Sequence, residues 1–155
     1  MKFSHSSISK FRVCPELYNL QYIQGIRRRI ATIPLMVGRA VHQFIEVFYK
    51  TRDVKLAEKM LLADFDSFDK ALLDPDKLVD LEVERTRALA MSLAYAERYA
   101  TDFDQYQKFL TEFHSEMELD TANTYEGYLD ILMQDAAGDW WIKETKTAAS
   151  GTVND

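Results

Sequence analysis

The spacing of the apolar residues changes at Thr111, and that change most limits what the chain can fold into. Before it, apolar side chains recur at intervals of three and four, as in Val41, Ile45 and Phe48, the period of one face of an α-helix. After it the period is two: Phe113, Met117 and Leu119 fall on one side, and His114, Glu116 and Glu118 on the other. Helices followed by strands predict an α/β chain of the α+β kind. Residues 1–110 are expected to be mainly helical and packed on a small mixed or antiparallel sheet of residues 111–147, with a weakly patterned tail at 148–155.

Within the helical part, Ser6 or Ser7 can cap a short helix with Ile8 and Phe11 on its apolar face, and Pro15 suits the first turn of a second segment that reaches Tyr22. Gly25 and the arginines after it end that segment. Gly38 opens the next helix, in which His42 and Glu46 stand one turn apart and share a side. "VKLAEKMLLADFDSFDKALL" and residues 76–110 read as two more helices, separated at Pro75. In the strand part, "YEGYLDILM" and "WWIKETKT" are neighbours in a hairpin joined by "QDAAGD".

A length of 155 residues supports one domain with one core. No run approaches the roughly 20 apolar residues that a membrane helix needs. The opening "MKFSHSSISKFRV" lacks the apolar centre of a secretory signal, so a cytoplasmic protein is expected. The single cysteine, Cys14, excludes an internal disulfide framework and a multi-cysteine zinc site within the chain. Nineteen basic residues against 25 acidic ones leave a net charge of −6, which repels polyanions at long range. Contact with nucleic acid would therefore be local. Arg27, Arg28 and Arg29 form the cluster that offers such contact, and a solvated helix end is the bland reading of the same residues.

Charged residues inside the hairpin need a reason. Alternation along a strand sends Glu144 and Lys146 to one face, and the short turn brings Asp130 within reach of the same point. Two converging carboxylates repel, and a bridging divalent cation relieves that repulsion. A nearby ammonium can then orient water and neutralise charge developing on a phosphate. Taken one at a time these residues also fit an ordinary half-exposed hairpin; the ordered combination of Gly127, Asp130, a turn, an apolar strand and Glu144-Thr145-Lys146-Thr147 favours the site.

With those residues in view, the chain resembles the PD-(D/E)XK nucleases, and among them the RecB-type exonuclease domains that include CRISPR-adaptation and AddB-like enzymes. Four motifs in order carry the resemblance: "SSISKFRVCPELY", then "GRAVH" from Gly38 to His42, then "GYLD", then "ETKT". The resemblance implies that His42, Asp130 and Glu144 ligate a divalent metal, with the Thr145 carbonyl as a further ligand. It implies that Asp130, Glu144 and Lys146 form the catalytic set, with Lys146 as the catalytic lysine. An imidazole ligand favours Mn2+ over Mg2+ while admitting both. Glu116 or Glu118 is expected beside the site, two positions on one face that spacing does not separate.

Cys14 matches the first of four cysteines that hold an iron–sulfur cluster in some of these enzymes. The other three have no counterparts here, so no cluster is expected and Cys14 reads as a helix-packed thiol. The family pattern continues past the lysine into a Gln-x-x-x-Tyr helix and a further strand. The expected fold is thus a restriction-endonuclease-like core lacking its last elements, as a piece of a longer chain or completed by a second copy or a protein partner. The implied activity is metal-dependent hydrolysis of DNA, acting from an end, in recombination, repair or phage DNA processing. The alternative is an inactive nuclease-like module that binds nucleic acid or a protein. A glycosidase using the carboxylate pair would leave His42 and Lys146 unexplained.

Overall fold

The computed structural model describes residues 2–26, 32–68 and 73–147, and the arginines at 27–29 and the tail at 148–155 lie outside them. A two-residue strand, β1 (Lys2–Phe3), leads into α1 (His5–Val13) and α2 (Pro15–Tyr18), which runs on as a wider turn through Asn19–Ile23. The helical layer continues with α3 (Ile33–Thr51), α4 (Val54–Asp66), α5 (Pro75–Arg98) and the single turn α6 (Asp102–Gln105). Strands β2 (Tyr106–Asp120), β3 (Asn123–Asp135) and β4 (Trp140–Lys143) complete the chain's described part. None of the described helices is long and apolar enough to cross a membrane.

Local chemistry sets the helix ends. Ser4, rather than Ser6 or Ser7, caps α1: its Oγ accepts from the Ser7 N–H at 3.3 Å while the Ser7 Oγ accepts from the Ser4 N–H at 2.9 Å. Cys14 caps α2, its Sγ accepting from the Leu17 N–H at 3.4 Å, so the thiol does polar work instead of packing as a small hydrophobe. Helix α3 begins five residues before Gly38, where Pro34 fits the first turn. It ends at Arg52, whose φ of 59° is the left-handed terminal conformation. Asp53 then caps α4 by accepting from the Leu56 N–H at 3.0 Å.

Helix α3 is the spine. Ala40, Val41, Phe44, Ile45, Phe48 and Tyr49 are all buried, a broad stripe that meets Ala57, Leu61 and Phe65 of α4, Leu81 and Ala88 of α5, and Ile131 and Met133 of β3. His42 and Glu46 lie on the flank of that stripe, half-buried.

The sheet is mixed. Strand β3 is central, with β2 antiparallel on one edge; β1, parallel, and β4, antiparallel, share the other. On that shared edge β1 pairs with Thr124 and Tyr125, and β4 pairs with Ile131 through Gln134. The stretch between them ends at Asp130, and the candidate site forms there.

Two strand boundaries differ from the sequence expectation, and the helices expected over 54–73 and 76–110 end at Asp66 and Arg98. Strand β2 starts at Tyr106, within the segment read as helix, because a register irregularity between Tyr106 and Lys108 lets Tyr106 and Phe109 both reach the core. Their separation of three residues mimics helical spacing. Strand β4 stops at Lys143, so Glu144 and Lys146 are not on a strand; beyond Lys143 side chains replace the backbone ladder, as described below.

The β3–β4 turn depends on Asp135 and Gly138. Asp135 Oδ1 accepts from the Ala137 and Asp139 amides at 2.9 and 3.0 Å, and its Oδ2 accepts from Trp141 Nε1 at 2.8 Å. The Trp141 bond, followed by the backbone amides, holds the Asp135 carboxyl below its ordinary pKa. Gly138 has φ of 92°, where a side chain strains the backbone even with room for a Cβ. Gly138→Ala is expected to lower stability by about 1–3 kcal/mol. Urea denaturation checks this, and an unchanged midpoint would count against the assigned turn.

Candidate active site

Asp130 is the hub. It follows Leu129 on β3 and precedes Ile131, which is fully buried, so its backbone is fixed by the core. His42 Nδ1, from α3, lies 3.4 Å from Asp130 Oδ1. The other carboxylate oxygen, Oδ2, accepts from the Thr145 N–H at 2.6 Å. The Asp130 N–H in turn points at Glu144 Oε1, 3.4 Å away. Glu144 and Thr145 therefore dock on Asp130 through side-chain-to-backbone bonds where β4 has left the ladder. Glu144 Oε2 also accepts from Lys146 Nζ at 3.3 Å.

A third acid belongs to this group and was not read from the sequence. Glu112 sits on β2 between Thr111 and Phe113, which pair with Ile131 and Leu129, and so stands across from Asp130. His42, Glu112 and Asp130 each offer one ligand atom within 4.8 Å of the others. Glu112 has φ of 48°, a left-handed conformation uncommon for glutamate and of the kind that functional sites often hold. Burial, then repulsion from Asp130 and Glu46, raises its carboxyl above the ordinary 4.5. Glu46, one turn from His42, pairs with Lys50 at 2.5 Å.

Neither Glu116 nor Glu118 takes that place. Glu116 and Glu126 are held by Lys2 of β1, at 2.5 and 3.2 Å, with His114 3.7 and 3.5 Å from them. The Lys2 bond keeps the Glu116 carboxyl below its ordinary pKa. One signal in the sequence bore on Glu112, its even-numbered position in β2. Glu116 and Glu118 have the same parity, and the register was open until the turn between β2 and β3 was located.

The structure thus brings His42, Asp130 and Glu112 together and sets Glu144 and Thr145 against Asp130. Lys146 lies one step out, its side chain 83% exposed and tied only to Glu144 among the described bonds. Beside His42 a hollow of about 490 Å³ opens, lined by Pro34, Leu35, Met36, Gly38, Arg39 and Thr147. A Cβ on Gly38 would meet Thr147 Oγ1 at 3.4 Å, which shows how near the segment after Lys146 passes to α3. A larger apolar hollow on α5, between Leu78 and Ala90, is remote from this group in its lining.

The profile of the PD-(D/E)XK nuclease superfamily matches residues 2–155. The chain belongs to the PD-(D/E)XK nuclease superfamily. No curated protein matches it at a significant level. Membership makes a nuclease the indicated class of enzyme, and PD-(D/E)XK nucleases typically use divalent metals. The donors here suit such an ion: one imidazole nitrogen and two carboxylates converge, and their mutual repulsion is what a dication relieves.

Proposed function

We propose that this PD-(D/E)XK protein is a divalent-metal-dependent deoxyribonuclease of the RecB-like exonuclease type, acting on DNA ends in the cytoplasm in recombination, repair or phage DNA processing. The observation that carries the reading is the convergence of His42, Asp130 and Glu112, with Glu144 and Thr145 bonded to the same aspartate. In this reading His42, Asp130, Glu144 and the Thr145 carbonyl hold Mn2+ or Mg2+, Glu112 adds a carboxylate, and Lys146 is the catalytic lysine.

The bound ion supplies positive charge at a phosphate oxygen and makes a water more acidic. The residues do the rest. Asp130 fixes the geometry, since its two oxygens are shared between the His42 side and the Thr145 amide. Glu144 keeps the Lys146 ammonium at the site's edge, from which the long exposed side chain can swing to a phosphate. Hydrolysis forms a bond from the water oxygen to phosphorus, breaks a phosphorus–oxygen ester bond, and delivers a proton to the departing alkoxide. The hollow between α3 and Thr147 offers room for the strand end.

Digestion of end-labelled linear DNA, single- and double-stranded, against covalently closed circles tests this in Mn2+ and in Mg2+. Release of labelled nucleotides from linear DNA with circles left intact is the expected result. Absence of degradation of DNA and RNA in both metals would remove the catalytic assignment and leave a binding module.

Glu112 provides a second test. Its carboxyl is raised in the metal-free protein, and a ligating cation favours the ionised form, so binding should release protons in weakly acid buffer and strengthen as pH rises through the Glu112 pKa. Calorimetry of Mn2+ binding in two buffers of different ionisation heat reads the release. Glu112→Gln should bind more weakly and release fewer protons; equal release from both proteins would take Glu112 out of the metal group.

A further inference from the structure

The segment that carries Glu144, Thr145 and Lys146 has little side-chain burial of its own. Of residues 140–147, only Lys143 and Thr145 are sheltered; the tryptophans at 140 and 141, Ile142, Glu144, Lys146 and Thr147 are exposed. Strand β4 is four residues long and its ladder ends at the pair Lys143–Ile131. Something must hold the chain where it leaves the sheet.

Lys143 is that anchor, and a lysine there is unexpected. Its side chain is 19% exposed and runs into the helical layer, where its ammonium bonds to Asp102 Oδ2 and, at 3.1 Å, donates to the Tyr49 hydroxyl. The Tyr49 O–H donates to the same Asp102 carboxylate, and burial and that bond push the tyrosine's pKa far up, so it stays neutral. The ammonium also sits 3.6 Å from the centre of the Tyr99 ring, in cation–π contact. A charge taken out of water is tolerated only with such partners. An apolar residue would fill the position at lower desolvation cost.

Its neighbours lead to the site. The Tyr95 hydroxyl is buried without a hydrogen bond of regular geometry; burial raises its pKa, and Tyr49 and Thr145 act in the opposite direction. Thr145 gives its N–H to Asp130. One residue before Glu144 the chain is thus clamped to α3 and α6, and two residues later it touches Asp130.

We infer that Lys143 is a positioning residue: its ammonium, caged by Asp102, Tyr49 and Tyr99, fixes the end of β4 so that Glu144 and Thr145 dock on Asp130. This rests on the proposed nuclease site, and the test separates the two. Amide hydrogen exchange by NMR is measured on the metal-free full chain, parent against Lys143→Met, Asp102→Asn and Lys143→Arg. The Thr145 amide should exchange at least about tenfold faster in Lys143→Met, while the Phe44 and Ile45 amides of α3 change by less than about twofold. Mn2+ affinity should fall by about tenfold or more, as for other groups that orient a ligand set. Turnover should fall with KM for DNA nearly unchanged, and Lys143→Arg, which keeps the charge, should restore most of the Thr145 protection. Asp102→Asn keeps the side-chain shape and gives the same comparison if Lys143→Met does not fold. Unchanged Thr145 exchange and Mn2+ affinity overturn the inference, as does a parallel loss of protection at Thr145 and in α3, which marks a purely stabilising role. If the parent neither binds Mn2+ nor cuts DNA, the nuclease reading fails, and Thr145 exchange still decides the role of Lys143.

Discussion

Asp130→Asn is expected to weaken Mn2+ binding by about a hundredfold or more and to lower DNA cleavage by about a thousandfold or more. Asparagine is the informative choice because its amide oxygen can still accept from the Thr145 N–H, so the path of residues 144–147 is preserved while the charge is lost. The metal-free variant should be at least as stable as the parent. In the parent, Asp130 faces Glu112, whose carboxyl is raised by burial and then by repulsion from Asp130, and the substitution removes one of the two charges. Stability and activity therefore move in opposite directions, a pattern that global damage does not give. Calorimetry and urea denaturation read the two effects. Parent-like Mn2+ affinity in Asp130→Asn would mean that the metal, if bound at all, sits elsewhere.

The large features of the fold were written in local patterns. The α3 stripe and the β3–β4 hairpin follow from spacings that a single element imposes on its own residues, and the alternation after Thr111 gave the strands of a mixed sheet. What escaped depends on partners distant in sequence. Strand β1 has two residues and no pattern; it exists because Thr124 and Tyr125 present an open edge to it. The early start of β2 was hidden by an irregularity that places Tyr106 and Phe109 three apart on one core.

The site divides the same way. Hairpin geometry put Asp130 near Glu144, whereas His42, 88 positions before Asp130, entered through the resemblance and lies beside it in the structure. Glu112 was missed because its role needs the β2–β3 register and a left-handed backbone, and neither leaves a mark on residue spacing. Lys143 carries no distinguishing mark in the spacing of its strand. Its partners Asp102 and Tyr49 are 41 and 94 residues away, and a buried ion pair has no signature until those elements meet. Glu144 and Lys146 were read as one strand face, but the ladder ends at Lys143 and side-chain bonds to Asp130 take over.

Lys146→Ala is expected to leave Mn2+ affinity intact or slightly improved while lowering cleavage by about a hundredfold to a thousandfold, the range for removing one group that meets charge developing in the transition state. The geometry separates the two effects. The Lys146 side chain is exposed, and its pair with Glu144 at 3.3 Å is a surface ion pair of little consequence for folding. Losing the ammonium frees the Glu144 carboxylate of a competitor for a cation, so binding of the metal does not suffer. The phosphate, by contrast, loses the one cation that the Glu144–Lys146 segment offers it. In a binding module without turnover the same substitution removes one phosphate contact, and its signature is a salt dependence of DNA affinity that flattens by about one unit of slope. Cleavage kinetics and a salt titration of DNA binding, run on the same two proteins, therefore distinguish the readings. A variant that cuts DNA at the parental rate would dismiss Lys146 as the catalytic lysine and return attention to the residues gathered on Asp130.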